Sequence, residues 1–269
     1  MMSRLMQDSG TSAWGTALLA VALGLATGAG LEAQQDFSWN GAVDRGDAVT
    51  IRGVNGPITA RAASGSQVRV TAVKTAERDD PGDVSIEVVE DSEGVLICAI
   101  YPSRRSNRPN RCARGDEYRN NVNNHDVKVA FTVEVPAGVE LDAITVNGDV
   151  QVLDLTGAVR AVTVNGDVTI DTNGAASATT VNGDIEARMG RIDDDVEFTT
   201  VNGGITITMP SGASADVEAT TVNGSIDTDF PITIRGRWGP RSARGEIGGG
   251  GPSLEVTTVN GSIRLLRAG

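Results

Sequence analysis

Large rings are scarce in this chain. Of its 269 residues only 3 are Trp, 2 are Tyr and 4 are Phe. That excludes a core built on packed rings and leaves a narrow interior of small aliphatic side chains. Histidine occurs once, at His125, which removes most histidine-centred catalysis and histidine-rich zinc sites. Cations are short too: 23 Lys and Arg stand against 35 Asp and Glu, for a net charge of -12. A chain so acidic is not built to neutralise a phosphate backbone, so no nucleic-acid partner is expected. After Leu31 no apolar run approaches the length of a membrane-spanning helix. Cysteine is limited to Cys98 and Cys112, with no CxxC redox pair.

The start of the chain reads as a targeting segment. Arg4 and the amino terminus supply positive charge, and a stretch rich in Ala, Leu, Val and Gly runs from Ala13 to Leu31. Residues 1–33 are therefore read as a signal peptide, cut after Ala33. An uncleaved anchor is the alternative, although the Gly and Ala content makes a weak spanning helix. The expected location is outside the cytoplasm: periplasm, cell envelope or medium. In that setting the even pair Cys98 and Cys112 reads as one structural disulfide.

Glycine, at 33 residues, is plentiful, and much of it lies in a repeated tripeptide. Val-Asn-Gly occurs around Asn55, Asn147, Asn165, Asn182, Asn202, Asn223 and Asn260. The last six are spaced by 18, 17, 20, 21 and 37 residues, the final gap being near two periods. Thr145, Thr163, Thr180, Thr200, Thr221 and Thr258 each precede the valine, and apolar residues alternate on both sides of each tripeptide. Each repeat reads as strand, sharp turn, strand and a variable return. The Asn-Gly pair is taken as a turn tolerant of positive φ.

A meander of hairpins would use such turns, but gives no reason for the same Thr, Val and Asn to recur at one position. Stacked coils do, because Thr and Asn ladders satisfy one another along the axis while valines fill a narrow interior. The fold expected is all-β: a single parallel β-solenoid with coils of about 17–21 residues. Residues 34–140 form its irregular N-terminal part and residues 141–269 its regular repeats. Two excursions interrupt it, a polar insertion at Pro102–Asn124 and a Gly-rich stretch at Gly236–Pro252.

The Thr-Val-Asn-Gly-Asp/Ser-Ile/Val units, the early Val54-Asn55-Gly56 coil and the Val135–Val139 turn resemble the bacterial DUF4097 family, often labelled adhesin. The likeness covers most of Asp47–Leu266. It implies a β-solenoid in exported or envelope-associated proteins, with no established general catalytic activity.

Candidate sites follow from what stands out against the repeat. Arg104, Arg105, Arg108 and Arg111 crowd the insertion, with Arg114 and Arg119 beyond them and Tyr101 and Tyr118 on either side. On an acidic protein this patch suits an anionic envelope glycan or another envelope protein; a solvated loop held by the disulfide is the plainer reading. Trp238, among Arg235, Arg237, Arg241 and Arg244, could stack on a sugar or cap the coil stack. Asp149, Asp167 and Asp184 follow the glycine in three successive repeats. They could offer oxygen to calcium, or simply cap solvated turns. Outward threonines could face a glycan or ordered water, or serve only strand propensity.

No nucleophile motif surrounds a serine, and neither cofactor nor metal is expected. The function expected is an exported, non-enzymatic binding or structural module of the cell envelope, adhesin-like. The alternative is a carbohydrate-active β-helix enzyme using an exposed acidic face.

Overall fold

The computed structural model describes residues 37–103, 108–122, 124–235 and 241–269; residues 1–33, expected to be a signal peptide, lie outside them. The described residues are almost entirely strand, turn and loop. The N-terminal part runs β1 (Phe37–Gly41), β2 (Ala48–Arg52), β3 (Ile58–Ala62), β4 (Val68–Thr75), β5 (Ser85–Asp91), β6 (Gly94–Ile100) and β7 (Lys128–Val135). The regular repeats follow as β8 (Glu140–Ile144), β9 (Val150–Leu155), β10 (Val159–Val162), β11 (Val168–Thr172), β12 (Ala176–Thr179), β13 (Ile185–Met189), β14 (Val196–Asn202) and β15 (Ile205–Met209). The C-terminal part comprises β16 (Ala215–Asn223), β17 (Ile226–Thr228), β18 (Thr233–Arg235), β19 (Arg241–Ile247), β20 (Ser253–Asn260) and β21 (Ile263–Arg267). Among the described residues helix is limited to two 3₁₀ turns, at Pro81–Asp83 and Gly115–Glu117.

Each coil places one strand in each of two sheets. Sheet A orders its strands β1-β4-β7-β3-β9-β11-β13-β15-β21-β17, and sheet B orders them β18-β19-β16-β20-β14-β12-β10-β8-β2-β6-β5. The coil stack itself is parallel, as in β8, β10 and β12. Antiparallel pairs flank it: in sheet A β4 is reversed against β7 and β1 pairs antiparallel with β4, and in sheet B β5 is reversed against β6, β19 against β16, and β18 pairs antiparallel with β19. The expectation of one purely parallel solenoid is therefore corrected to two mixed sheets. A physical reason is that a bare end coil exposes unpaired N–H and C=O groups, which reversed strands cover.

Alternation sets the interior. Val159 and Ala161 of β10, Val168 and Ile170 of β11 and Ile185 and Ala187 of β13 are all buried. Rings are few in the interior: among the described residues Tyr101, Phe131 and Phe198 are the fully buried ones. Each fully buried Ile, Leu or Val contributes about 1.5–3 kcal/mol.

The coil order departs from the sequence order at the C-terminal end. β20 lies between β14 and β16, and β21 between β15 and β17. The 37-residue gap before Asn260 is thus not an end coil two periods on. It is a detour through β18 and β19, which take the outer edge of β16 and leave its inner edge to β20.

Candidate functional site

The repeated corner is a hydrogen-bonded spine. Each asparagine donates its side-chain amide to the next one along the stack: Asn147 to Asn55 at 2.9 Å, Asn165 to Asn147 at 2.8 Å, Asn182 to Asn165 at 2.8 Å and Asn202 to Asn182 at 2.9 Å. Asn260 continues it to Asn202, and Asn223 to Asn260, both at 2.8 Å. All seven turn asparagines thus share one ladder.

The glycines serve close approach, not the positive φ expected of the turn. Only Gly56 among them has a left-handed φ, +122°. At Gly183 an added Cβ would lie 2.0 Å from the carbonyl oxygen of Gly166, and at Gly203 it would lie 1.9 Å from that of Gly183. Two neighbouring coils can meet so closely only without a side chain at either corner.

The threonine before each valine points inward, and the valine points out. Thr163, Thr180, Thr200, Thr221 and Thr258 are buried, whereas Val164, Val181, Val201 and Val222 are exposed. That reverses the expected valine-filled interior at this column. Each hydroxyl donates to a glycine carbonyl of the adjacent coil, as Thr180 does to Gly166 at 3.0 Å and Thr258 to Gly203 at 2.9 Å. The outward threonines are instead the first of each doublet, Thr179, Thr199, Thr220 and Thr257, which are half-buried.

The aspartate column has a backbone partner. Asp149 accepts from the N–H of Asp167 at 3.0 Å, Asp167 from that of Asp184 at 2.8 Å, and Asp184 from that of Gly204 at 2.7 Å. Capping accounts for one oxygen of each carboxylate. Among the described residues no three His, Cys, Asp or Glu side chains are grouped to hold a metal ion.

The insertion folds back over sheet B. Leu96, Cys98 and Ile100 on the outer side of β6 are buried under it with Cys112, packed by Val89 and Tyr118. Cys98 and Cys112 are disulfide-bonded, their Cα atoms 5.7 Å apart. The Arg52 guanidinium stacks 4.5 Å above the Tyr118 ring, and burial pushes the Tyr118 hydroxyl above its ordinary pKa. Arg111 pairs with Glu117 at 2.6 Å, and Arg114 with Asp91 at 2.8 Å. The Arg114 side chain holds the Asp91 carboxyl below its usual range. Arg108 is exposed. Arg104, Arg105 and Trp238 lie outside the described residues.

Arg114 also walls a feature that sequence reasoning missed. A trough of about 390 Å³ crosses the outer side of β2, β8, β10, β12 and β14. Its floor is small: Ala48, Ala158, Ala175 and Ser177. Arg114 and Glu93 stand at one end, and Asp194 and Asp195 at the other. An Asp142–Arg160 ion pair at 2.9 Å bridges the middle. A second hollow of about 420 Å³ continues it past Glu197, Ser253 and Glu255. The signal lay in the outward column, where Ala158, Ala175 and Ser177 stand where other repeats carry larger side chains.

His125 is placed elsewhere, at the N-terminal end of the stack. Its Nδ1 lies 3.7 Å from Asp79 and its Nε2 3.6 Å from Asp83. The Tyr101 ring meets it edge-on at 5.7 Å. The buried Tyr101 hydroxyl donates to the Val127 carbonyl at 2.9 Å, and burial pushes its pKa up to about 12. This is a clasp between the β4–β5 connection and the segment leading into β7.

The chain is similar to several solved structures whose adhesin names are provisional. A cell adhesion protein from Clostridium sporogenes ATCC 15579 shares 10 % identity at a TM-score of 0.45, covering 86 % of this chain and 99 % of that one. An adhesin from Bacteroides fragilis NCTC 9343 shares 13 % identity at a TM-score of 0.32, covering 86 % and 96 %. One from Parabacteroides merdae ATCC 43184 shares 10 % at 0.29, covering 86 % and 95 %. No curated protein matches the chain. The repeat that builds the spine falls within residues 47–266, which match the model of the Toastrack DUF4097 family, and the chain belongs to that family.

Proposed function

We propose that this chain is an exported, non-enzymatic binding module of the cell envelope, adhesin-like in use, whose contact face is the outer side of sheet B. The trough carries the reading: a hollow with a small-residue floor and charged walls, set on strands held rigid by ladder bonds. Its carboxylates, Glu140, Asp194 and Asp195, are suited to accept hydrogen bonds from sugar hydroxyls. The neighbouring insertion supplies Arg104, Arg105, Arg108 and Arg111 for the anionic groups of an envelope glycan. The disulfide supports export, since such bonds persist in oxidising compartments.

The test titrates envelope polysaccharide fractions into the protein and analyses the sugars afterwards. Saturable binding with the polysaccharide left intact supports the module. New reducing ends or unsaturated sugars would overturn it in favour of a carbohydrate-active enzyme on the same acidic face. No binding to any fraction would overturn it in favour of a purely structural role.

A further inference from the structure

The coil formed by β20 and β21 is a wedge between two parts of the molecule. In sheet B, β14 and β16 do not pair with each other; both pair with β20. In sheet A, β15 and β17 are likewise joined only through β21. The slot exists before its occupant does in chain order, with open parallel edges on both sides. Both walls carry the same corner. Thr258 donates to the Gly203 carbonyl on one side, and Thr221 donates to the Gly261 carbonyl on the other. Asn260 bonds Asn202 and is bonded by Asn223 in the same way.

We propose that this slot also accepts β20 and β21 from a second copy of the chain, giving a reciprocally exchanged dimer. The occupant is defined by register. Leu254, Val256, Ile263 and Leu265 are fully buried between the walls, and the same segment of another copy reproduces every one of those contacts. The connection into the wedge is Gly248-Gly249-Gly250-Gly251-Pro252, with left-handed φ of +69° at Gly248 and +74° at Gly250. Four consecutive glycines make a pliant hinge, and exchange then alters only the hinge.

The wedge also carries a feature that loosens its hold. Glu255 stands in register between Glu197 and Glu218 on the two adjacent parallel strands. Like charges directly opposed disfavour pairing. Glu218 is relieved by an ion pair with Arg244 of β19, but Glu197 has no such cation beside it in the register.

The exchange is tested on the full chain carrying Thr199→Cys and Thr257→Cys, two half-buried register partners on the outer side of β14 and β20. Protein is refolded at low and at high concentration, joined with a short bismaleimide, and run on a denaturing gel. In an exchanged dimer the cross-link joins two chains; in the monomer it closes within one. The expected result is a covalent dimer whose ratio to monomer rises about tenfold for tenfold more protein. A second pair, Thr206→Cys with Arg264→Cys in sheet A, gives the same readout should the first fold poorly. Internally linked monomer at every concentration would overturn the proposal, as would a dimer in solution that separates on the gel.

Discussion

The side-chain amide nitrogen of Asn260 lies 2.8 Å from the side-chain Oδ1 of Asn202, its ladder neighbour, although 58 residues separate them. The last repeat is therefore interior to the stack. Leu265, fully buried on β21 between β15 and β17, should behave as a central core residue. Leu265→Ala is expected to cost about 2–5 kcal/mol in denaturant unfolding. A loss of only a few tenths would mean that this coil frays at an exposed end.

The glycine spine makes a steric prediction with an internal control. Gly183→Ala puts a Cβ 2.0 Å from the Gly166 carbonyl oxygen, whereas a Cβ at Gly65 meets nothing within 4 Å. The first substitution should destabilise by roughly 3 kcal/mol through overpacking. The second should leave the melting temperature near that of the parent. Equal effects at both positions would refute the close-approach account.

Thr180→Val keeps the shape of the inward side chain and deletes its hydroxyl, which donates to Gly166 at 3.0 Å. The glycine carbonyl then loses a buried donor, and a loss of about 1–3 kcal/mol is expected. Thr179→Val, one residue earlier and facing outward, should be nearly neutral. Calorimetry of the two variants decides which member of the doublet faces the core.

Asp126 gives the fold an acid-sensitive contact. The Asp79 backbone N–H, helped by the side chain and N–H of Arg78 and opposed by partial desolvation, lowers its pKa from 3.8 to about 2. A carboxylate whose folded pKa is depressed contributes stability that is full above pH 3.8 and lost as the pH falls toward 2. Asp126→Asn should therefore be less stable than the parent above that window and converge with it below. Parallel curves throughout would show that the contact does not titrate with folding.

Much of this architecture could be read from residue spacing. The recurrence of Thr-Val-Asn-Gly marked each corner, alternation marked each strand, and an even pair of cysteines marked the bridge. The corner's facing was harder. Thr163 shares the parity of Val159 and Ala161 and is buried with them, but Asn165, next in that parity, turns outward where the chain bends. Parity alone does not locate that break, and a valine looks a better core residue than a threonine. The order of the last coils was not legible either, because Asn223 and Asn260 carry the same motif and either could follow Asn202. The antiparallel pairing of β19 with β16 decides it, and that is a tertiary choice. The trough arises from Ala158, Ala175 and Ser177 on neighbouring coils, so it became visible only once the coils were stacked.

The central functional claim is that the outer side of sheet B is the contact face. It is tested most directly by capture of envelope glycans on immobilised wild-type chain, beside Ala158→Tyr, which fills the trough floor, and an Arg108→Ala/Arg111→Ala double variant. The account predicts saturable capture by the wild type and loss in Ala158→Tyr with an unchanged melting temperature. It also predicts weakened, less salt-sensitive capture in the arginine variant. Equal capture by all three proteins would contradict it and move the contact face away from sheet B.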